Sequence, residues 1–84
     1  MNYDVVKVET LEYLHLKVTF RDGLCGQVKF VETHLKGVFE ILKNPAVFLK
    51  VHCKNGFIEW PGDIDLAPDV MYDEIKKNGI WELV

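Results

Sequence analysis

Eighty-four residues are enough for one hydrophobic core and too few for two, and an apolar share of 49% argues against a disordered chain. The longest apolar runs are only a few residues, far below the ~18 needed to span a bilayer, so no membrane segment is expected. The net charge of −3 hides an asymmetry: residues 1–58 hold eight Lys/Arg against six acids, and residues 59–84 hold two against seven. So acidic an end repels phosphate backbones and argues against direct nucleic-acid binding.

Met1-Asn2-Tyr3-Asp4 offers neither a basic region nor an apolar core of a leader, so secretion is not expected. Cys25 and Cys53 lie far apart without partner spacing, as expected of reduced thiols in the cytoplasm. No linker, repeat or low-complexity tract interrupts the chain, which reads as a single small α+β domain over 1–84.

In chain order, Val5-Val6-Lys7-Val8 reads as a strand, antiparallel to the alternating run 13–20 that follows. In that run Leu14, Leu16, Val18 and Phe20 face one way and Tyr13, His15, Lys17 and Thr19 the other. A second run after Asp22-Gly23 carries Leu24, Val28 and Phe30 on one face. A two-residue turn would set apolar residues of one strand beside polar residues of the next. A three-residue loop, Arg21-Asp22-Gly23, pairs Phe20 with Leu24, Leu16 with Val28 and Leu14 with Phe30, and Gly23 suits its left-handed position. The first three strands then form a meander.

Leu35, Val38, Phe39 and Leu42 recur at helical spacing, with Gly37 inside the stripe at a cost of ~1 kcal/mol. Asn44-Pro45 is expected to end this first short helix. Asn55-Gly56 then signals a two-residue hairpin that pairs Cys53 with Ile58 and Val51 with Trp60, and sets His52 opposite Glu59 on the outer face. A second helix starts at Pro68 and stops at Gly79, with Asp69 near its positive end and Lys76 and Lys77 in its last turn. Val70, Met71 and Ile75 are expected to face the sheet, with Leu66 stapled onto Met71. The apolar tail Ile80-Trp81-Glu82-Leu83-Val84 either adds an edge strand or serves as a contact for a partner or a second copy. The expected architecture is an antiparallel sheet of four to five strands, an N-terminal meander plus a second hairpin, covered by two short helices.

Between hairpin and helix, Trp60-Pro61-Gly62-Asp63-Ile64-Asp65-Leu66-Ala67-Pro68-Asp69, followed by Tyr72, carries the most specific pattern in the chain. With Phe20-Arg21-Asp22-Gly23 and with Leu42, Pro45 and Phe48, it resembles the bacterial family catalogued as domain of unknown function 2442. The likeness runs along nearly the whole chain and departs at Gly62-Asp63-Ile64 from the usual Asn-Gly-containing version. The resemblance implies no settled activity. It implies small free-standing proteins or fusions to DNA-binding domains, and a paired, toxin–antitoxin-like arrangement with a neighbouring small protein.

Residue by residue, the acidic segment has a structural reading: Trp60 fills core, Pro61 ends a strand, Asp65 bonds nearby amides and Pro68-Asp69 start the helix. Its functional reading is a hard-cation site of Asp63, Asp65 and Asp69, although Ala67 and Pro68 stand where an EF-hand loop needs a ligand and glycine. No Gly-rich phosphate loop, nucleophile elbow, HExxH or CxxC is present, and no spacing selects Cys25 with His15, His34 or His52 as a dyad. The sequence thus favours a non-enzymatic protein-interaction or regulatory module with no cofactor. Its expected contacts are Asp63, Asp69, Asp73, Trp81 and Leu83, and a homodimer through the tail is one form of partner. The alternative is a small-ligand or divalent-metal-binding protein or enzyme using residues 59–74.

Overall fold

A computed structural model of the chain describes residues 3–62 and 64–83, the side chains of His34 and Val38 excepted. Among these residues seven strands form two sheets, not one. In the first, β1 (Val5–Glu12), β2 (His15–Phe20) and β3 (Cys25–Phe30) make the expected antiparallel meander, and β7 (Ile80–Leu83) lies parallel to β3 at its edge. The second is a meander of β4 (His52–Lys54), β5 (Phe57–Trp60) and β6 (Ile64–Leu66). The structure is mostly strand, and its two α-helices are short: α1 (Pro45–Phe48) and α2 (Pro68–Asn78).

The hairpin registers follow from matching apolar faces. Leu16 pairs with Val28, the Phe20 amide donates to the Leu24 carbonyl at 2.7 Å, and the Phe30 amide to that of Leu14 at 2.9 Å. This is the three-residue loop, with Gly23 at φ +93°. Cys53 pairs with Ile58 across a two-residue turn in which Asn55 and Gly56 both have positive φ. At Gly56 the need for glycine is double, because an added Cβ would also meet the Asp4 carboxylate.

Three expectations are corrected. The stripe at 35–42 is not an α-helix. A 3₁₀ turn at Glu32–His34 is followed, after extended Leu35 and Lys36, by a second 3₁₀ segment at Gly37–Lys43 that opens on Gly37 at φ +61°. Three residues per turn still put Phe39 and Leu42 on one side, against the core. Asn44-Pro45 ends that segment but also begins α1, where the Asn44 side chain accepts from the Ala46 amide at 3.0 Å. The span after Trp60 is not all loop, since the apolar–polar–apolar alternation of Ile64, Asp65 and Leu66 adds β6, with Trp60 opposite Ile64.

One cluster of buried residues lies between the sheets and helices. Trp60, 2% exposed, stands in it edge-on to Phe30 at 5.8 Å, and its indole N–H donates to the Phe48 carbonyl at 3.1 Å. That bond ties α1 to the second sheet. Helix α2 packs at Gly26 of β3 closely enough that a Cβ there would stand 2.5 Å from Ile75 Cγ2 and 2.7 Å from the Gly79 carbonyl oxygen. No helix among the described residues is long and apolar enough to cross a membrane.

Candidate functional site

Helix α2 begins at Pro68, with Asp69 in its first turn, and ends at Gly79 in the left-handed conformation, whose amide donates to the Ile75 carbonyl at 2.7 Å. Its buried stripe is Met71, Tyr72 and Ile75; Val70, expected to face the sheet, is 51% exposed. Residue 72 takes that place because its ring meets Phe20 edge-on at 5.0 Å and Tyr3 at 5.1 Å. The phenol donates a short hydrogen bond to Asp22 in the first hairpin loop. Asp22 also accepts from the Leu24 amide at 2.9 Å, and these two donors hold its carboxyl below the usual aspartate range. The same bond pushes the Tyr72 hydroxyl above its ordinary value, so this pair clasps helix to hairpin and is badly poised to release a proton.

With α2 clasped, its outer surface carries Asp69 and Asp73, both exposed, and the chain turns through Gly79 into β7. Trp81 and Leu83 are half-buried and pack on the core, as the inward side chains of an edge strand should. Ile80 and Glu82 point to the opposite face. Along this edge runs an open cleft of about 330 Å³ lined by Glu74, Asn78, Ile80, Trp81 and Glu82. Asn78 donates to Glu74 across one helical turn at 3.3 Å.

Of the expected cation ligands, Asp63 lies outside the described residues. Asp65 is an exposed β6 residue opposite Glu59, a strand position in place of the expected bonds to loop amides, and the Asp69 carboxylate accepts from the Val70 amide at 2.9 Å. No group of three His, Cys, Asp or Glu among the described residues could hold a metal ion. His52 donates through Nε2 to Glu59 at 2.9 Å and through Nδ1 to the Lys50 carbonyl at 3.2 Å. The Lys50 carbonyl first, and Glu59 second, raise its pKa; only the Glu59 contribution was legible beforehand. His15 bonds Gln27 at 2.6 Å, and Cys25 faces Thr19 at the far end of that strand pair.

A second opening, an apolar groove of about 190 Å³, lies between the β1–β2 turn and α1, with Leu11, Tyr13, Phe48 and Leu49 among its walls. Tyr13 donates to the Lys43 carbonyl at 2.7 Å, fixing one wall. Sequence reasoning missed this groove, since Leu11 falls between the two expected strands, 5–8 and 13–20.

Fold and site together define a small strand-rich α+β protein whose last helix and strand border a cleft lined in part by Glu74 and Glu82. The chain belongs to the family described as "Protein of unknown function (DUF2442)", whose model matches residues 5–77. Neither the curated proteins nor the solved structures contain a match.

Proposed function

We propose that this chain is a non-enzymatic protein-interaction module that regulates a partner by docking it on its acidic C-terminal third. The carrying observation is the cleft where Glu74 of α2 and Glu82 of β7 meet at the outer edge of β7, a strand with β3 as its one hydrogen-bonded neighbour among the described residues. Asp69 and Asp73 supply field without burial, and a basic partner surface would be drawn to them and oriented by them. The Tyr72–Asp22 clasp supports a preformed surface, which lowers the ordering cost of association. A partner encoded as the other half of a toxin–antitoxin-like pair fits this reading, and the two free thiols fit a reducing, cytoplasmic setting.

Cross-linking in the native host, followed by capture at low and high salt, tests the proposal. The expected result is one stoichiometric partner with a basic contact surface, released as ionic strength rises. A strictly monomeric protein with no stoichiometric partner would overturn it.

A further inference from the structure

Among the described residues, strand β7 is the unguarded edge of the first sheet. The opposite edge, β1, is blunted: its register shifts at Val5/Lys7 and at Thr10/Glu12 leave Val6 and Leu11 as bulge residues, and the Val5 amide is taken by the Gly56 carbonyl at 2.9 Å. Strand β7 instead pairs with β3 in unbroken register from Gln27–Ile80 to Phe30–Leu83. The Gly79 and Leu83 carbonyls accept from the Gln27 and Val31 amides at 3.2 and 3.4 Å, so the odd-numbered residues of this parallel strand bond inward. The N–H and C=O groups of Ile80 and Glu82 therefore point outward.

The cleft beside this edge touches Trp81 from one face of β7 and Ile80 and Glu82 from the other, so it follows the backbone itself. Among the described residues its walls hold two carboxylates, Glu74 and Glu82, and no cation; Lys29, the register partner of Glu82, lies on β3, behind β7 as seen from its outer edge. The Trp81 indole offers a surface for an aliphatic stem or a guanidinium plane. Resting on the interaction-module reading above, we infer that the outer edge of β7 accepts an extended segment of a partner protein as a fifth strand, with a Lys or Arg side chain of that segment in the cleft between Glu74 and Glu82. Main-chain bonds to Ile80 and Glu82 supply affinity, and the carboxylates supply selection for a basic residue. A second copy is the poorer occupant, because pairing β7 with itself crowds acids of both copies along one seam.

The probes are synthetic seven-residue peptides of alternating Val and Thr with a central Lys, Arg or Glu, titrated into the full chain and followed by amide and indole NMR shifts. The Lys and Arg peptides should move the Ile80 and Glu82 amides and the Trp81 indole, and the Glu peptide should bind several-fold more weakly. Glu82→Gln should weaken the Lys peptide roughly three- to fivefold, as for a partly exposed ion pair. Glu82→Pro removes an outward N–H while leaving the bonds to β3, and should abolish binding. Equal binding of the Glu peptide, binding unaffected by Glu82→Pro in a variant with native β3 shifts, or no shift with any peptide would overturn the inference. So would self-association that masks Ile80 and Glu82. A host partner cross-linked elsewhere, such as at Leu11 and Leu49, would end the edge-strand proposal and leave the module reading standing; no partner at all would end the latter.

Discussion

Replacing Gly26 by alanine tests the packing that puts β7 where it is. Gly26 has extended backbone in β3, which alanine adopts freely, so any cost comes from the added methyl. That methyl would stand 2.5 Å from Ile75 Cγ2 and 2.7 Å from the Gly79 carbonyl oxygen, whereas ordinary contacts fall near ~3.5–4 Å. Ile75 is 2% exposed and has little room to swing away. The Gly79 carbonyl is backbone and accepts the bond from Gln27 that opens the β3–β7 ladder. Overpacking of this kind costs about 1–3 kcal/mol, and weakening that bond about 1 kcal/mol more. Against this, alanine in place of glycine gains about 0.5–1 kcal/mol from the less flexible unfolded chain. The net expectation is a loss of ~2 kcal/mol, which for a domain this size lowers Tm by about 8–16 °C. Urea and thermal unfolding of Gly26→Ala beside the wild type would measure it, with faster amide exchange at Trp81 and Leu83 as a local readout. A variant as stable as the wild type or more so would refute the close seating of α2 on β3.

Tyr72→Phe removes the donor to Asp22, so the Asp22 carboxyl should titrate higher by NMR. A depressed carboxylate stabilises the fold above its ordinary pKa, and that contribution fades as pH falls through the folded value; the variant should lose the larger part of this acid dependence and keep the part that the Leu24 amide supplies. The raised Tyr72 pKa acts on the other side, stabilising below the ordinary tyrosine value and fading as pH rises, and this alkaline limb should vanish too. Glu59→Gln should lower the His52 pKa only in part, because the Lys50 carbonyl still accepts from Nδ1; a complete return to the ordinary value would contradict the geometry. Trp60→Phe should cost about 1–2 kcal/mol in urea unfolding, chiefly through lost volume, since the Phe48 carbonyl keeps the Val51 amide at 3.3 Å.

Turn chemistry made both hairpins legible, because Arg21-Asp22-Gly23 and Asn55-Gly56 each allow one register that aligns apolar faces. Helix α2 was legible from Pro68 and Gly79, and Met71 and Ile75 face the core as expected, but the third buried position is Tyr72 and not Val70: Val70 is apolar yet exposed, and Tyr72 is held inward by contacts that include Asp22, fifty positions away. No local pattern encodes such a partner. Strand β6 was hidden because three residues of alternation, Ile64-Asp65-Leu66, are too few to outweigh the turn signals around them. The division into two sheets, and the parallel pairing of β7 with β3, depend on long-range packing at Gly26 that periodicity does not report. At the site, Trp81 and Leu83 were read as contact residues; in the fold both pack on the core and hold the strand, Trp81 also lines the cleft, and the outward backbone groups belong to Ile80 and Glu82.

Amide hydrogen exchange along β7 in the free protein bears most directly on the whole account. Trp81 and Leu83, bonded toward β3, should be protected, while Ile80 and Glu82 exchange as freely as loop amides. Uniform protection of all four would mean the edge is already covered, and uniform rapid exchange would mean the tail does not dock as a strand; either contradicts an open, preformed acidic edge.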